Sequence, residues 1–304
     1  MNVEPSSQSP RQRAWRRFKR NRPAVAGALF LALTIAFVLL YPLFSPYPPE
    51  QVSDSQFARP SLQHWMGTDV HGRDLLVRLC YGARISLVVG VVGALISLVI
   101  GVLWGAIAGY VGGRLDAVMM RFVDVLYSMP SIIFAIVLMS AVEPPAERWL
   151  AHLGLPADRS VRLIVLFAGL GAVSWLTMAR IVRGQVLSLR TRAFVDASRA
   201  LGAGTGHILR RHIIPNVLGV VIVYLTLTVP GIILYESFLS FLGLGIQPPM
   251  ASWGSLIAEG VGQINPIRIY WWLIAFPAGF LVLTLLALNY VGDGLRDAWD
   301  VRGA

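Results

Sequence analysis

Six apolar runs separated by polar gaps set the pattern of this chain. They cover residues 24–44, 85–110, 115–142, 161–181, 216–239 and 270–291. Each is at least as long as the roughly 17–25 residues that carry an α-helix across the hydrocarbon core of a bilayer. The pattern predicts an all-α, polytopic membrane protein with six transmembrane helices. Its division is a basic tail at 1–22, a first span at 23–44, a segment outside the bilayer at 45–83, a five-helix core at 84–292 and a tail at 293–304. Within the core, residues 184–215 form a polar loop between two long apolar runs.

The gaps assign the sides. Arg11, Arg13, Arg16, Arg17, Lys19, Arg20 and Arg22 precede the first run, and Arg190, Arg192, Arg199, Arg210 and Arg211 crowd the loop against one acid, Asp196. Positive charge is retained in the cytoplasm, so the N-terminus and the loop are expected there. Counting spans agrees and returns the C-terminus to the same side. The first run is uncleaved in this reading, since no small-residue cleavage site follows the basic stretch.

Several local expectations follow. Gly67 and Gly72 mark turns, and Asp74 caps a short interfacial helix bearing Leu75, Leu76 and Leu79. In the second run Gly93, Ser97, Gly101, Gly105 and Gly109 recur every four residues, a smooth stripe that lets another helix backbone approach. Arg121 and Asp124 are expected to pair with each other in the third run. Pro144, Pro145 and the residues to Arg159 read as an outer loop. Pro230-Gly231 softly breaks the fifth run, Glu236 falls roughly 30 Å from Pro215 near the outer interface, and residues 252–260 form a short amphipathic helix.

The loop itself reads as two small helices joined by a hinge. Phe194, Ala197, Ala200 and Leu201 share one apolar helical face, with Arg199 on the flank. Gly202 stops the first helix as its C′ residue, and Gly204 loosens the join. Thr205 is the expected N-cap of the second helix, and Pro215 suits the first turn of the next span.

Composition supports lipid exposure. The 304 residues are 56% hydrophobic and 14% charged, with mean hydropathy +0.64; a soluble domain carries about a quarter charged residues. The formal charge of +10 is explained by topology, and no basic face on a folded soluble domain points to nucleic acid. One cysteine, Cys80, excludes an intrachain disulfide or a cysteine metal cluster. One lysine, Lys19, excludes a phosphate-binding P-loop. There is no HExxH or GxSxG motif and no inward carboxylate pair, so no catalytic, cofactor or metal site is expected. His64, His71 and His152 fall in outer loops, while His207 and His212 belong to the loop region.

Here a resemblance enters. Asp196-Ala197-Ser198, Gly202 and Ile214-Pro215 resemble the conserved cytoplasmic loop of ABC-importer permease subunits, with Asp-Ala-Ser standing for Glu-Ala-Ala. His212-Ile213-Ile214-Pro215-Asn216 is similar to the oligopeptide and dipeptide branch. Residues 64–87 (HWMGTDVHGRDLLVRLCYGARISL), 174–190 (SWLTMARIVRGQVLSLR), 216–224 (NVLGVVIVY) and 236–254 (ESFLSFLGLGIQPPMASWG) resemble its C-type subunit. The resemblance implies a multi-pass subunit of the cytoplasmic (inner) membrane that carries oligopeptides. Dipeptides, nickel chelates or another small solute are alternative cargoes. It further implies a second homologous permease subunit, two ATPase subunits that bind the ATP and Mg, and an extracytoplasmic peptide-binding protein. Phe194, Asp196, Ala197, Ser198, Leu201, Gly202 and Pro215 would form the coupling helix that docks on an ATPase. A channel lacking an ATPase gives the exposed apolar face of this loop no purpose, and a membrane enzyme lacks its residues.

Overall fold

The computed structural model describes residues 10–152 and 159–299. Eleven α-helices carry these residues: α1 Pro10–Arg20, α2 Arg22–Phe44, α3 Leu75–Val111, α4 Gly113–Tyr127, α5 Ser131–His152, α6 Arg159–Leu189, α7 Ala193–Ala200, α8 Thr205–Ile208, α9 Ile214–Phe241, α10 Trp253–Val261 and α11 Trp272–Trp299. Five segments are long and apolar enough to cross a membrane: Arg22–Phe44, Leu75–Val111, Val165–Leu189, Thr205–Phe241 and Trp272–Trp299. Helices α4 and α5 are long and apolar enough only when taken together, as one broken segment bent by 96° at residues 128–130. Among the described residues there is no strand, only an isolated bridge between Thr68 and Asp74.

The expected third span is therefore not straight. Pro130 lies in the break between Tyr127 and Ser131 and disfavours helical backbone at Met129 before it. Asp124 does not pair with Arg121; it accepts from Arg180 of α6 at 2.8 Å, and the same guanidinium lies 4.0 Å from the Tyr127 ring centroid. Pro144 and Pro145 sit inside α5 rather than in a loop. Residues 153–158 of that expected loop lie outside the described residues. Pro230 is likewise carried within α9, which runs on unbroken to Phe241.

Both tails are more ordered than their polarity suggests. Half of the basic tail is α1, and α11 runs through most of the expected C-terminal tail to Trp299. The two pack together through Ala14, Phe18, Ala24 and Ala298. Residues 1–9 and 300–304 lie outside the described residues.

The expected interfacial helix is the first turns of α3. Asp74 caps it, its carboxylate accepting from the Val77 amide at 3.0 Å, and Leu75, Leu76 and Leu79 are buried. Nothing breaks the helix between these residues and the apolar run, so it continues for 37 residues. Gly67 and Gly72 do turn the preceding chain, with φ of 77° and 71°.

Helix α3 packs most extensively along α6. A Cβ added at Gly101 would meet the Met178 Cβ at 2.6 Å, and one at Gly109 the Arg183 carbonyl oxygen at 2.9 Å. At Gly105 it would collide with the Ala179 carbonyl oxygen. Gly93 faces Ile232 of α9 and Gly171 of α6. Ser97 is fully buried on the same helix, and its hydroxyl has no hydrogen-bond partner among the described residues.

Candidate functional site: a surface loop and a cavity at the broken span

The loop between α6 and α9 sits at one end of the bundle. Helix α7 has eight residues, too few to be stable alone in water. Its end is closed by Gly202 at φ 81°: the Gly202 amide donates to the Arg199 carbonyl and the Ala203 amide to the Ser198 carbonyl. These two bonds are the Schellman arrangement, which needs a residue that tolerates the left-handed region at this position. The N-cap of α8 is Gly204, not Thr205, which is already the first helical residue. Beyond Ile208 one π-helical turn, Leu209–Ile213, joins α8 directly to α9, so the second small helix is the start of the long span. Pro215 stands in the first turn of α9 and, having no N–H, cannot donate to the Arg211 carbonyl one turn back in the joined helix. The Asn216 side chain donates to the His212 carbonyl at 2.6 Å.

One α7 side chain is buried, and it is Val195, which the expected apolar face did not include. With Ile208 and Ile213 it packs against Val182 and Val186 of α6, Tyr110 of α3 and Val217 of α9. The expected face points the other way: Phe194 is 40% and Leu201 89% exposed, and Asp196 and Ala197 are exposed with them. Ser198 is half-buried. The ring of Phe194 lies 6.2 Å from that of His212, itself 6.0 Å from His207. Arg199, expected on the flank, instead reaches α3. Its Nε donates to the Tyr110 hydroxyl at 3.3 Å, and the guanidinium lies 5.2 Å from that ring centroid. The Tyr110 contact holds the Arg199 guanidinium above its ordinary pKa. Arg190 donates to the Gly109 carbonyl at 3.2 Å, and Arg183 grips Asp116 through two bonds of 2.5 and 2.7 Å.

A cavity of about 310 Å³ opens beside the broken span. Tyr127, Met129, Ser131 and Phe134 line it from the bend, Ser174 and Thr177 from α6, and Tyr224, Thr228 and Tyr235 from α9. The Tyr127 and Thr177 hydroxyls lie 3.2 Å apart. Its lining carries hydroxyls and apolar groups and no formal charge. Such a wall can hydrogen-bond polar groups of a passing solute without selecting for the sign of its charge.

At the opposite end α10 is fastened twice. The guanidinium of Arg78, 1% exposed, donates to Asp69 at 2.6 Å and to Glu259 of α10 at 2.5 and 2.9 Å. Arg73 joins the same two carboxylates at 2.7 and 3.4 Å. Nearby, Glu236 is fully buried and accepts from Ser86 at 2.9 Å and Ser240 at 2.7 Å. The Ser86 hydroxyl also accepts from the Trp253 amide at 3.4 Å. Helix α10 begins with a reciprocal cap between Ser252 and Ser255, and its buried side carries Trp253, Gly254 and Leu256. Arg78, Asp69 and Glu259 were not legible as a group, because up to 190 residues separate them.

The site is thus a broken apolar span beside a hydroxyl-lined cavity and an exposed helix-turn loop, in a membrane-embedded helical chain. Residues 101–302 match the family described as "binding-protein-dependent transport system inner membrane component", and residues 9–63 match "N-terminal TM domain of oligopeptide transport permease C". The chain belongs to this permease family, as the motifs led us to expect. Among its relatives, the oligopeptide transport system permease protein OppC of Haemophilus influenzae is 47% identical over 294 residues, covering 96% of this chain and 88% of the relative. The dipeptide transport system permease protein DppC of Bacillus subtilis is 44% identical over 302 residues, covering 99% and 88%. The fold is that of a permease chain in inward-facing structures of the MetNI methionine ABC transporter, with a TM-score of 0.53, 22% identity, and 74% of this chain and 97% of that chain covered.

Proposed function

We propose that this chain is the membrane subunit of an ATP-driven importer that carries oligopeptides across the cytoplasmic membrane. Both termini and the α7 loop face the cytoplasm. A second, homologous permease subunit completes the pathway, two ATPase subunits bind ATP and Mg, and an extracytoplasmic binding protein delivers the peptide. Support for the cargo comes from relatives named for oligopeptide transport. One of comparable identity is named for dipeptides, so shorter peptides are the alternative.

The observation that carries the coupling role is α7. A helix too short to persist alone is held by one buried valine and a left-handed glycine cap, and it presents Phe194 and Leu201 outward. Exposed apolar groups outside the bilayer are stabilised when a groove covers them. Binding of ATP would draw the ATPases together, and the docked α7 would pass that motion to α6 and α9.

The test is peptide uptake and ATP hydrolysis in vesicles reconstituted with the whole complex. Phe194→Asp is expected to leave the spans inserted while uncoupling hydrolysis from uptake, or to release the ATPase. Normal uptake with the ATPase still bound would return the loop to the status of a linker. Orientation is read separately by single cysteines in a Cys80→Ala background. Leu62→Cys and Ile267→Cys, 95% and 88% exposed in the native chain, should label from outside, and Thr205→Cys only after permeabilisation.

A further inference from the structure

Helix α1 carries the cations that set the topology, and it also holds them in a fixed arrangement that topology does not require. It ends at Arg20, one residue before α2 enters the membrane at Arg22. Its inner side is fixed: Ala14 and Phe18 are buried against Ala24 and Ala298, and a Cβ at Gly294 would meet the Phe18 ring at 3.3 Å. A helical period then sends Trp15, Arg16, Lys19 and Arg20 outward, and all four are exposed. Trp15 stacks on Phe18 at 5.9 Å, and the Lys19 ammonium lies 5.1 Å from the Trp15 ring centroid. Among the described residues, Arg16, Lys19 and Arg20 form no ion pair. Arg20 is two residues from the start of the span, about 7 Å at most, inside the screening length of about 8–10 Å.

We propose that the outward face of α1 binds anionic phospholipid headgroups of the adjoining leaflet, with Trp15 seated at the headgroup level and Arg16, Lys19, Arg20 and Arg22 paired with lipid phosphates. An amphipathic indole beside a row of cations matches the apolar–anionic boundary of such a leaflet. Because Phe18 and Ala14 are locked to α11, bound lipid is held against the body of the permease rather than on a loose tail. The side of the membrane rests on the orientation proposed above; the lipid chemistry does not.

The experiment places an environment-sensitive fluorophore at Gln12→Cys in a Cys80→Ala background, in the assembled transporter reconstituted into nanodiscs. Discs of phosphatidylcholine alone are compared with discs carrying increasing phosphatidylglycerol. A blue shift that grows with phosphatidylglycerol and is lost in high salt is expected. Arg16→Gln, Lys19→Gln and Arg20→Gln together should abolish the shift at every phosphatidylglycerol fraction, because loss of three surface cations weakens the attraction about a hundred-fold. Arg16→Lys with Arg20→Lys should preserve the response. An equal shift in both kinds of disc, or none in either, overturns the proposal. So does a shift that disappears when the ATPase subunits are stripped from the same discs, which would make α1 a protein-docking helix. An aqueous quencher added to one side of sealed vesicles reports orientation independently, so a wrong side and a wrong ligand give different results.

Discussion

The two ends of the bundle are fastened by opposite means. At the α10 end, two arginines and two carboxylates form a closed, mostly buried network, and Glu236 is held among serine hydroxyls. Every member has partners, and the charges sum to zero. At the α7 end the loop is held by three apolar side chains, Val195, Ile208 and Ile213, and by two neutral-partner contacts to α3, Arg190 to the Gly109 carbonyl and Arg199 to the Tyr110 hydroxyl. Buried polar networks fix one geometry because each alternative strands a charge. A few apolar contacts fix a position while leaving room to move. The contrast assigns rigidity to the α10 end and adaptability to the α7 end, where the partner is proposed to dock.

The largest effect should come from breaking the closed network. Arg78→Leu leaves Asp69 and Glu259 with Arg73 alone, and loss of one member of a buried ion pair costs about 3–5 kcal/mol. The expected result is a large drop in the melting temperature of the purified subunit. Arg78→Leu with Glu259→Met should recover most of it, because no charge is then stranded. If the double variant melts as low as the single one, the network is not what fastens this end.

Next comes the packing between the ends. Gly105→Leu forces a side chain onto the Ala179 carbonyl, and overpacking of this kind costs about 1–3 kcal/mol. The complex should assemble poorly on a sizing column, while Val99→Leu, on an exposed part of the same helix, should not. Full assembly of Gly105→Leu would show that α3 and α6 separate easily.

Smaller still is the cap of α7. The space around Gly202 is open, so Gly202→Val is penalised by its backbone alone, by about 1–2 kcal/mol for a left-handed L residue. Melting should barely change while uptake falls sharply, and Gly202→Asn should restore much of the uptake. Equal uptake by valine and asparagine variants would remove the argument from φ. Arg199→Gln should have the smallest effect on melting, because its contact lies at the exposed end of the loop.

How much of this was legible depended on the distance over which each feature is encoded. The Gly101, Gly105 and Gly109 stripe repeats within one helix, so its period was visible before any partner was known. Gly202 was visible for the same local reason. Val195 was missed because a single valine makes no periodic pattern; its role is decided by Val182 and Val186 of another helix. Hydropathy reported apolar residues continuously from Leu115 to Val142 and so could not see the 96° bend, although Pro130 carried the signal. The tail containing α1 was read by its charge, which hid the Ala14 and Phe18 seam. Arg121 and Asp124 were paired by proximity in sequence, whereas Arg180 competes for Asp124 across the bundle.

Helix α3 runs without a break from the cap at Asp74 to Gly112. It carries Arg78 and Ser86 near one end and Gly109 and Tyr110, the partners of Arg190 and Arg199, near the other. Thirty-seven helical residues make a rod about 55 Å long. To the extent that it moves as one body, a tilt of about 2° at the Tyr110 end displaces the Arg78 end by about 2 Å. That exceeds the slack of a hydrogen bond. If the proposed partner pushes on the loop, the far end of α3 would either carry α10 along bodily or tear it free.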